Sequence, residues 1–277
     1  MWPILLAPPT VPFTIPAYPV FLFLTIACWL AASWWLTTRS AGLPPRRVGL
    51  ALFLLAFAGL VGARLHFMLA HPDRFSSVGR VIAVWDGGLH SPGAVIGLIA
   101  MSLVVTRVAA LPLGHLLDAL APASALALAI HRIGCFLRGC CLGSVCDYAW
   151  CVRYPRRSSA FLLHAHTGAI AGTEGASAPV HPLPLYFLIL ALVILALGLW
   201  RLPRRRYPGE VMLLTVLCFG VGRWWLESYR AVTDSTVFLW GWPQLTLVAA
   251  LIAGSAVILL VVAEVLWRHG GKVFGTT

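Results

Sequence analysis

Residues 219–230 read FGVGRWWLESYR, an apolar run that closes on an arginine, two tryptophans, a carboxylate and a second arginine. Two more runs have the same character. GLVGARLHFML (59–69) surrounds Arg64, and ALALAIHRIGCFL (125–137) surrounds Arg132. An arginine at membrane depth costs roughly 2.5–3.5 kcal/mol on translocon-insertion scales, so by default it marks a functional site with an anionic partner. Nine Asp and Glu stand against twenty Lys and Arg, too few to serve all the cations. The missing partner is expected to be a ligand, and in a bilayer a phosphate-bearing lipid head group suits it.

Working outward from these stretches, the chain is 60% hydrophobic and 10% charged over 277 residues, with a mean hydropathy of +0.88. An ordinary soluble domain is excluded. Apolar runs long enough for a hydrocarbon core of about 30 Å recur at 18–38, 48–70, 93–111, 114–133, 183–200, 209–226 and 243–267. The reading is an all-α, polytopic membrane protein with about seven transmembrane helices and one small extramembrane head segment. Asp118 and Pro122 interrupt the fourth run, as in a broken or tilted span. No positive n-region precedes the first run, which is full length, so no cleavable signal peptide is expected.

Arginines crowd the loops 39–47 and 201–206, and the C-terminal tail is basic. The positive-inside rule then expects a cytoplasmic C-terminus and, with seven spans, an N-terminus outside. In that topology Tyr18, Arg132, Arg223 and Gln244 fall in the outer half. Arg64 lies about six residues from the outer end of its span, ~9 Å at helical rise. Polar residues distant in sequence converge on one depth. The whole chain, 1–277, reads as one integral membrane domain with 132–182 as an outward-facing insert.

If the helix runs through Arg230, then Arg223, Glu227 and Arg230 share one helical face. They either neutralise one another as an ion triad that locks two helices, or Glu227 orients one guanidinium while the other keeps a free fork for phosphate. The stretch 131–143, HRIGCFLRGCCLG, is dense in small and polar residues, and its glycines Gly134, Gly139 and Gly143 allow close backbone approach. Five cysteines, Cys135, Cys140, Cys141, Cys146 and Cys151, cluster in and after it. In an oxidising compartment one or two disulfides are expected, with adjacent Cys140 and Cys141 needing different partners. The irregular spacing argues against a metal site, and no cofactor is expected. His90, in the loop 85–97, is the one candidate general base there. No nucleotide-binding loop or nucleic-acid motif is apparent.

These pieces, in this order, resemble the bacterial prolipoprotein diacylglyceryl transferases. Ile15-Pro16-Ala17-Tyr18, Gly62-Ala63-Arg64, Trp85-Asp86-Gly87-Gly88 through Gly97, Asp118 with Ala121-Pro122, Arg132 to Gly143, His181-Pro182 with Leu185-Tyr186, Gly222-Arg223 with Glu227 and Arg230, and Gln244 carry the likeness. The resemblance implies a bacterial inner-membrane enzyme that moves the diacylglyceryl group of phosphatidylglycerol onto the lipobox cysteine thiol of a prolipoprotein and releases glycerol phosphate. Its partners would be phosphatidylglycerol, prolipoprotein signal peptides and the bilayer, with no nucleic acid. Arg132 and Arg223 would hold the phosphate, His90 would handle the thiol proton, and Tyr18, Arg64, Gly134, Cys135, Gly143, Glu227, Arg230 and Gln244 would line the lipid site. The chain departs from the family pattern at three places. Pro92-Gly93-Ala94 replaces a His-Gly-Gly, with His90 two residues earlier. Cys135 replaces the signature asparagine, and Pro184 and Phe187 replace a Gln and a Glu. Two other readings follow from those departures: a catalytically impaired phospholipid-binding protein, or a membrane thiol oxidoreductase using the Cys cluster.

Overall fold

The computed structural model describes residues 4–6, 15–72, 79, 81, 88–156, 158–170, 175–231, 238–239 and 242–269. Trp85, Asp86 and Gly87 lie outside them. Eight α-helices occur among the described residues: α1 (Ala17–Arg39), α2 (Pro45–Ala70), α3 (Ser91–Val108), α4 (Leu113–Arg138), α5 (Ser159–His166), α6 (Leu183–Arg201), α7 (Glu210–Glu227) and α8 (Gln244–His269). All but α5 coincide with the seven apolar runs. Two short antiparallel pairs, Ile4–Leu6 with Ile15–Pro16 and Phe238–Leu239 with Trp242–Pro243, precede α1 and α8.

Five helices, α1, α2, α4, α6 and α8, are long and apolar enough to cross a membrane; Pro92–Val108 of α3 is apolar but shorter. The protein is therefore a multi-pass membrane protein. Its helices point Phe23, Phe53, Leu69, Ile99, Leu251 and Ile258 outward, more than 45% exposed in each case. A surface so apolar is satisfied by lipid, and the helices close their own backbone hydrogen bonds. The expectation of a broken fourth span is corrected. α4 is continuous across Pro122, which is fully buried against Gly198 of α6. Neighbouring packing tolerates the lost N–H that would break a solvent-exposed helix.

The chain divides into two compact units, residues 32–120 and residues 1–31 with 121–277. In the first, α2 and α3 cross on small residues. A Cβ added at Gly62 or Gly93 would meet the backbone of the other, and one at Gly97 would meet the backbone of Ala58. Small-xxx-small crossings of this kind let helices approach where no hydrophobic force drives them together. Gly97→Ala places its new methyl against a carbonyl that cannot yield cheaply. It is expected to lower stability by about 1–3 kcal/mol, read as a lower thermal midpoint in detergent; an unchanged midpoint would show the crossing to be loose.

In the second unit α7 packs on α6 and α8, with Gly220 of α7 close against Ala253 of α8. The α6–α7 connection is held by Glu210, 3% exposed, which accepts hydrogen bonds from Arg201 Nε at 3.0 Å and from the backbone N–H of Arg206. Arg206 reaches on to Glu264 of α8 at 3.0 Å. A carboxylate in the first turn of α7 also complements the helix dipole.

Candidate functional site

The end of α4 builds the centre of the second unit. Gly139 has φ +71°, its N–H donates to Phe136 O at 3.2 Å, and the Cys140 N–H donates to Cys135 O at 3.2 Å. This is a Schellman C-cap, in which glycine supplies the left-handed residue and the next residue folds back on the one five positions earlier. A Cβ at Gly139 would strike the buried ring of Tyr154, so glycine is needed for space as well as for φ.

The chain beyond the cap is pinned between two others. Ser144 N–H donates to Tyr229 O at 2.8 Å, Ala231 N–H to Leu142 O at 3.2 Å, and His181 N–H to Ser144 O at 3.0 Å. Gly143 bridges to Arg230, and a Cβ there would strike His181 and approach Tyr229 O. The signature stretch, the start of α6 and the end of α7 are thus one fixed frame. Gly134, one turn before the cap, lets α1 approach: a Cβ there would meet Phe21.

Three guanidiniums occupy this frame. Arg132 is 9% exposed, and its central carbon lies 4.5 Å from the centre of the Phe187 ring. Among the described residues its buried Nε finds no acceptor. Arg223 approaches the same ring at 6.0 Å. Glu227, 5% exposed, stands 3.7 Å from Arg223 and pairs with Arg230 Nε as an ion pair off the line of the N–H. The expectation of one helical face for all three is corrected. α7 stops at Glu227, and Arg230 follows in the bridge to Gly143, its N–H bonded to Glu227 O at 3.1 Å. The carboxylate still joins both arginines because the final turn tightens. Three guanidiniums against one carboxylate leave a surplus of two positive charges here.

Cys135 is buried, and the sulfurs of Cys135, Cys140 and Cys141 lie within 4.8 Å of one another. The disulfide forms instead between Cys146 and Cys151 in the loop beyond. Cys140 and Cys141 therefore remain thiols beside Cys135, without the separate partners expected of them. The Cys141 thiol is held well below the usual thiol range, first by hydrogen bonds from Cys135 and Cys140, then by Arg132 and Arg230, against desolvation.

An aromatic wall sits beside the frame. His181 Nδ1 is 3.1 Å from Tyr186 Oη, Trp150 Nε1 donates to Tyr186 Oη at 3.1 Å, and Tyr229 packs edge-on to His181 and Tyr186. With Tyr148, Ile189, Val193 and Trp225 these side chains line a mainly apolar cavity of about 680 Å³ between α6 and α7. Sequence reading missed this wall and the role of Phe187. The aromatics are scattered from 148 to 229, and only the frame brings them together.

Of the remaining expected residues, Tyr18 and Gln244 open α1 and α8, and their side chains lie outside the described residues. Arg64 and His90 belong to the unit 32–120. Arg64, 8% exposed, donates to Val81 O and Gly88 O, each at 3.0 Å, and so ties down the segment before α3. His90 caps α3, its N–H bonded to Ala63 O at 3.1 Å, and its Nδ1 is 3.1 Å from His66 Nδ1. His71 and Phe67 pack on its ring. Burial, followed by the charges of His66 and His71, pulls the His90 pKa below 6.5.

Apolar helices around a buried guanidinium cluster define a polytopic membrane protein with surplus positive charge in its interior. The family model described as prolipoprotein diacylglyceryl transferase matches residues 4–265, and the chain belongs to that family. Three relatives bear the name phosphatidylglycerol–prolipoprotein diacylglyceryl transferase. The one from Geobacter sulfurreducens is 29% identical over 72% of this chain and 73% of its own. The one from Chromohalobacter salexigens is 31% identical over 72% and 70%, and that from Corynebacterium glutamicum 31% over 89% and 78%.

Proposed function

We propose that the protein transfers the diacylglyceryl group of phosphatidylglycerol to the lipobox cysteine of prolipoproteins. The observation that carries this reading is Arg132, nearly buried, with an unanswered Nε and with Arg223 on the same aromatic ring. In the reaction the acceptor sulfur forms a bond to the glycerol carbon of the donor as the bond from that carbon to phosphate oxygen breaks. The electron pair leaves on glycerol phosphate, and the thiol proton passes to a base. A phosphodiester with one negative charge becomes a monoester with two. Guanidiniums fixed beforehand where that charge appears stabilise the transition state more than the ground state.

Arg132 and Arg223 hold the phosphate in this reading, and Glu227 keeps Arg223 and Arg230 oriented. The wall of Tyr148, Tyr186 and Tyr229 accepts an apolar chain of one substrate. Tyr18, Gly134, Cys135, Gly143 and Gln244 complete the lipid site, and Arg64 braces the loop that leads to His90. His90 takes the thiol proton on Nε2. For that its Nδ1–H must donate to His66 Nδ1, since the opposite tautomer would leave a proton on Nε2. His66 is then a positioning residue.

We read residues 1–277 as one integral membrane domain of the bacterial cytoplasmic membrane, with 132–182 facing outward, the N-terminus outside and the C-terminus in the cytoplasm. The arginine-rich segments 39–47 and 201–206 support that orientation. A C-terminal reporter is expected to be active only on the cytoplasmic side; activity on the outer side alone would overturn the topology. The function is tested by complementing a transferase-depleted strain, because lipid binding without transfer does not rescue growth. Failure to rescue, with phosphatidylglycerol bound by the purified protein, would replace the transferase reading by that of a lipid-binding relative.

A further inference from the structure

We propose that Cys135, Cys140 and Cys141 form a binding site for one thiophilic d10 metal ion. The three sulfurs lie within 4.8 Å of one another. Ligands on one zinc at Zn–S of about 2.3 Å stand roughly 3.8 Å apart in tetrahedral geometry. His131 Nε2 lies 3.5 Å from Cys135 Sγ but outside the set of mutually close donors, so the sulfurs alone define the site.

The backbone explains how a sequence without paired C-x-x-C spacing makes such a triangle. The Schellman cap brings the residue after Gly139 over the residue five positions earlier, so Cys140 meets Cys135, and Cys140 Sγ lies 3.6 Å from Cys135 O. Cys141 then has φ +57°, a left-handed conformation that is unfavourable for a non-glycine residue. That turn folds the third sulfur back on the other two. Strain of this kind persists where the surroundings impose it, and it gathers at ligand sites.

Charge supports the same occupant. Three thiolates on a divalent ion carry one net negative charge, and Arg132 and Arg230 act on Cys141 while Arg138 acts on Cys140. The disulfide Cys146–Cys151 engages neither of the thiols nearest to it in sequence, so the trio stays available to a metal. Binding would release whatever protons the three cysteines still carry. It would join the end of α4 to the loop that reaches Gly143 and Arg230.

The test uses the full chain in detergent, purified anaerobically and freed of metal, titrated with Zn(II), with Co(II) as a spectroscopic stand-in and with Cu(I). The expected result is one equivalent bound, with thiolate-to-Co(II) charge-transfer bands. Cys135→Ser, Cys140→Ser and Cys141→Ser should each weaken Zn(II) by at least about 100-fold, beyond what loss of a group behind a ligand costs. The Cys28→Ser/Cys218→Ser double variant should bind as the parent does, which separates loss of ligands from general loss of thiols. Absence of stoichiometric binding of either ion would overturn the site. So would binding indifferent to Cys135→Ser, or a disulfide among the three thiols in protein isolated without reductant. A Cys variant that does not fold is replaced by mass mapping of metal-protected thiols in the parent, where protection of sulfurs other than these three has the same overturning force.

Discussion

Lysine in place of Arg132 or Arg223 is expected to cut diacylglyceryl transfer by at least about 100-fold, on the scale of losing one transition-state donor, while the protein remains folded and membrane-inserted. Lysine keeps the charge but loses the planar fork that meets two phosphate oxygens at once, and it loses the stacking on Phe187. The loss should fall on kcat more than on KM, because the second phosphate charge exists only as the bond breaks. Transfer at the parental rate in Arg223→Lys would show that a point charge suffices there. The structural alternative has its own mark. If Glu227→Gln and Arg223→Ala both lower the thermal midpoint while Arg223→Lys restores it with normal transfer, the arginines and Glu227 are an ion triad that locks the helix end.

His90→Gln is expected to remove the acid limb of the pH–rate profile together with roughly 10²-fold or more of the rate, the lower range of general-base catalysis. The sign follows from the base needing a neutral imidazole. Burial and the neighbouring His66 and His71 pull the His90 pKa below 6.5, so activity holds at and above neutral pH and is lost as the pH falls through that lowered value. The sequence alone suggests an inflection near pH 6–7; the histidine cluster moves it to the acid side. His66→Phe should weaken the same limb by freeing the tautomer. Undiminished transfer in His90→Gln would mean that the acceptor thiol ionises without it.

What was legible in the sequence is what depends on local pattern. Apolar runs cut to bilayer length foretold seven of the helices to within a few residues, because a helix is the one open-chain way to satisfy a backbone in lipid. Arginines inside those runs marked Arg64, Arg132 and Arg223 as the unusual residues, because a cation there needs a partner, and Arg64 finds backbone carbonyls of Val81 and Gly88 where an anion was expected. The family pattern could be read for the same reason, as its motifs are short and occur in order.

Tertiary structure decided the rest, and the reason is distance along the chain. Phe187 as a shared platform for two arginines, and the Tyr148–Tyr186–Tyr229 wall, join residues dozens of positions apart, and no periodicity encodes such meetings. Pro122 looked like a break and is not one, because Gly198 opens room for it. His66 carried no signal in the sequence, yet the fold puts its Nδ1 3.1 Å from that of His90. An oxidising compartment suggested one or two disulfides with no readable pairing, whereas a left-handed Gly139 and Cys141 gather three of the cysteines as thiols and leave Cys146 and Cys151 to pair. Composition and period thus determined which segments form apolar helices and which cations interrupt them. Which side chains face one another was settled by helix ends, tight glycine crossings and two backbone turns, where a few dihedral angles redirect everything that follows.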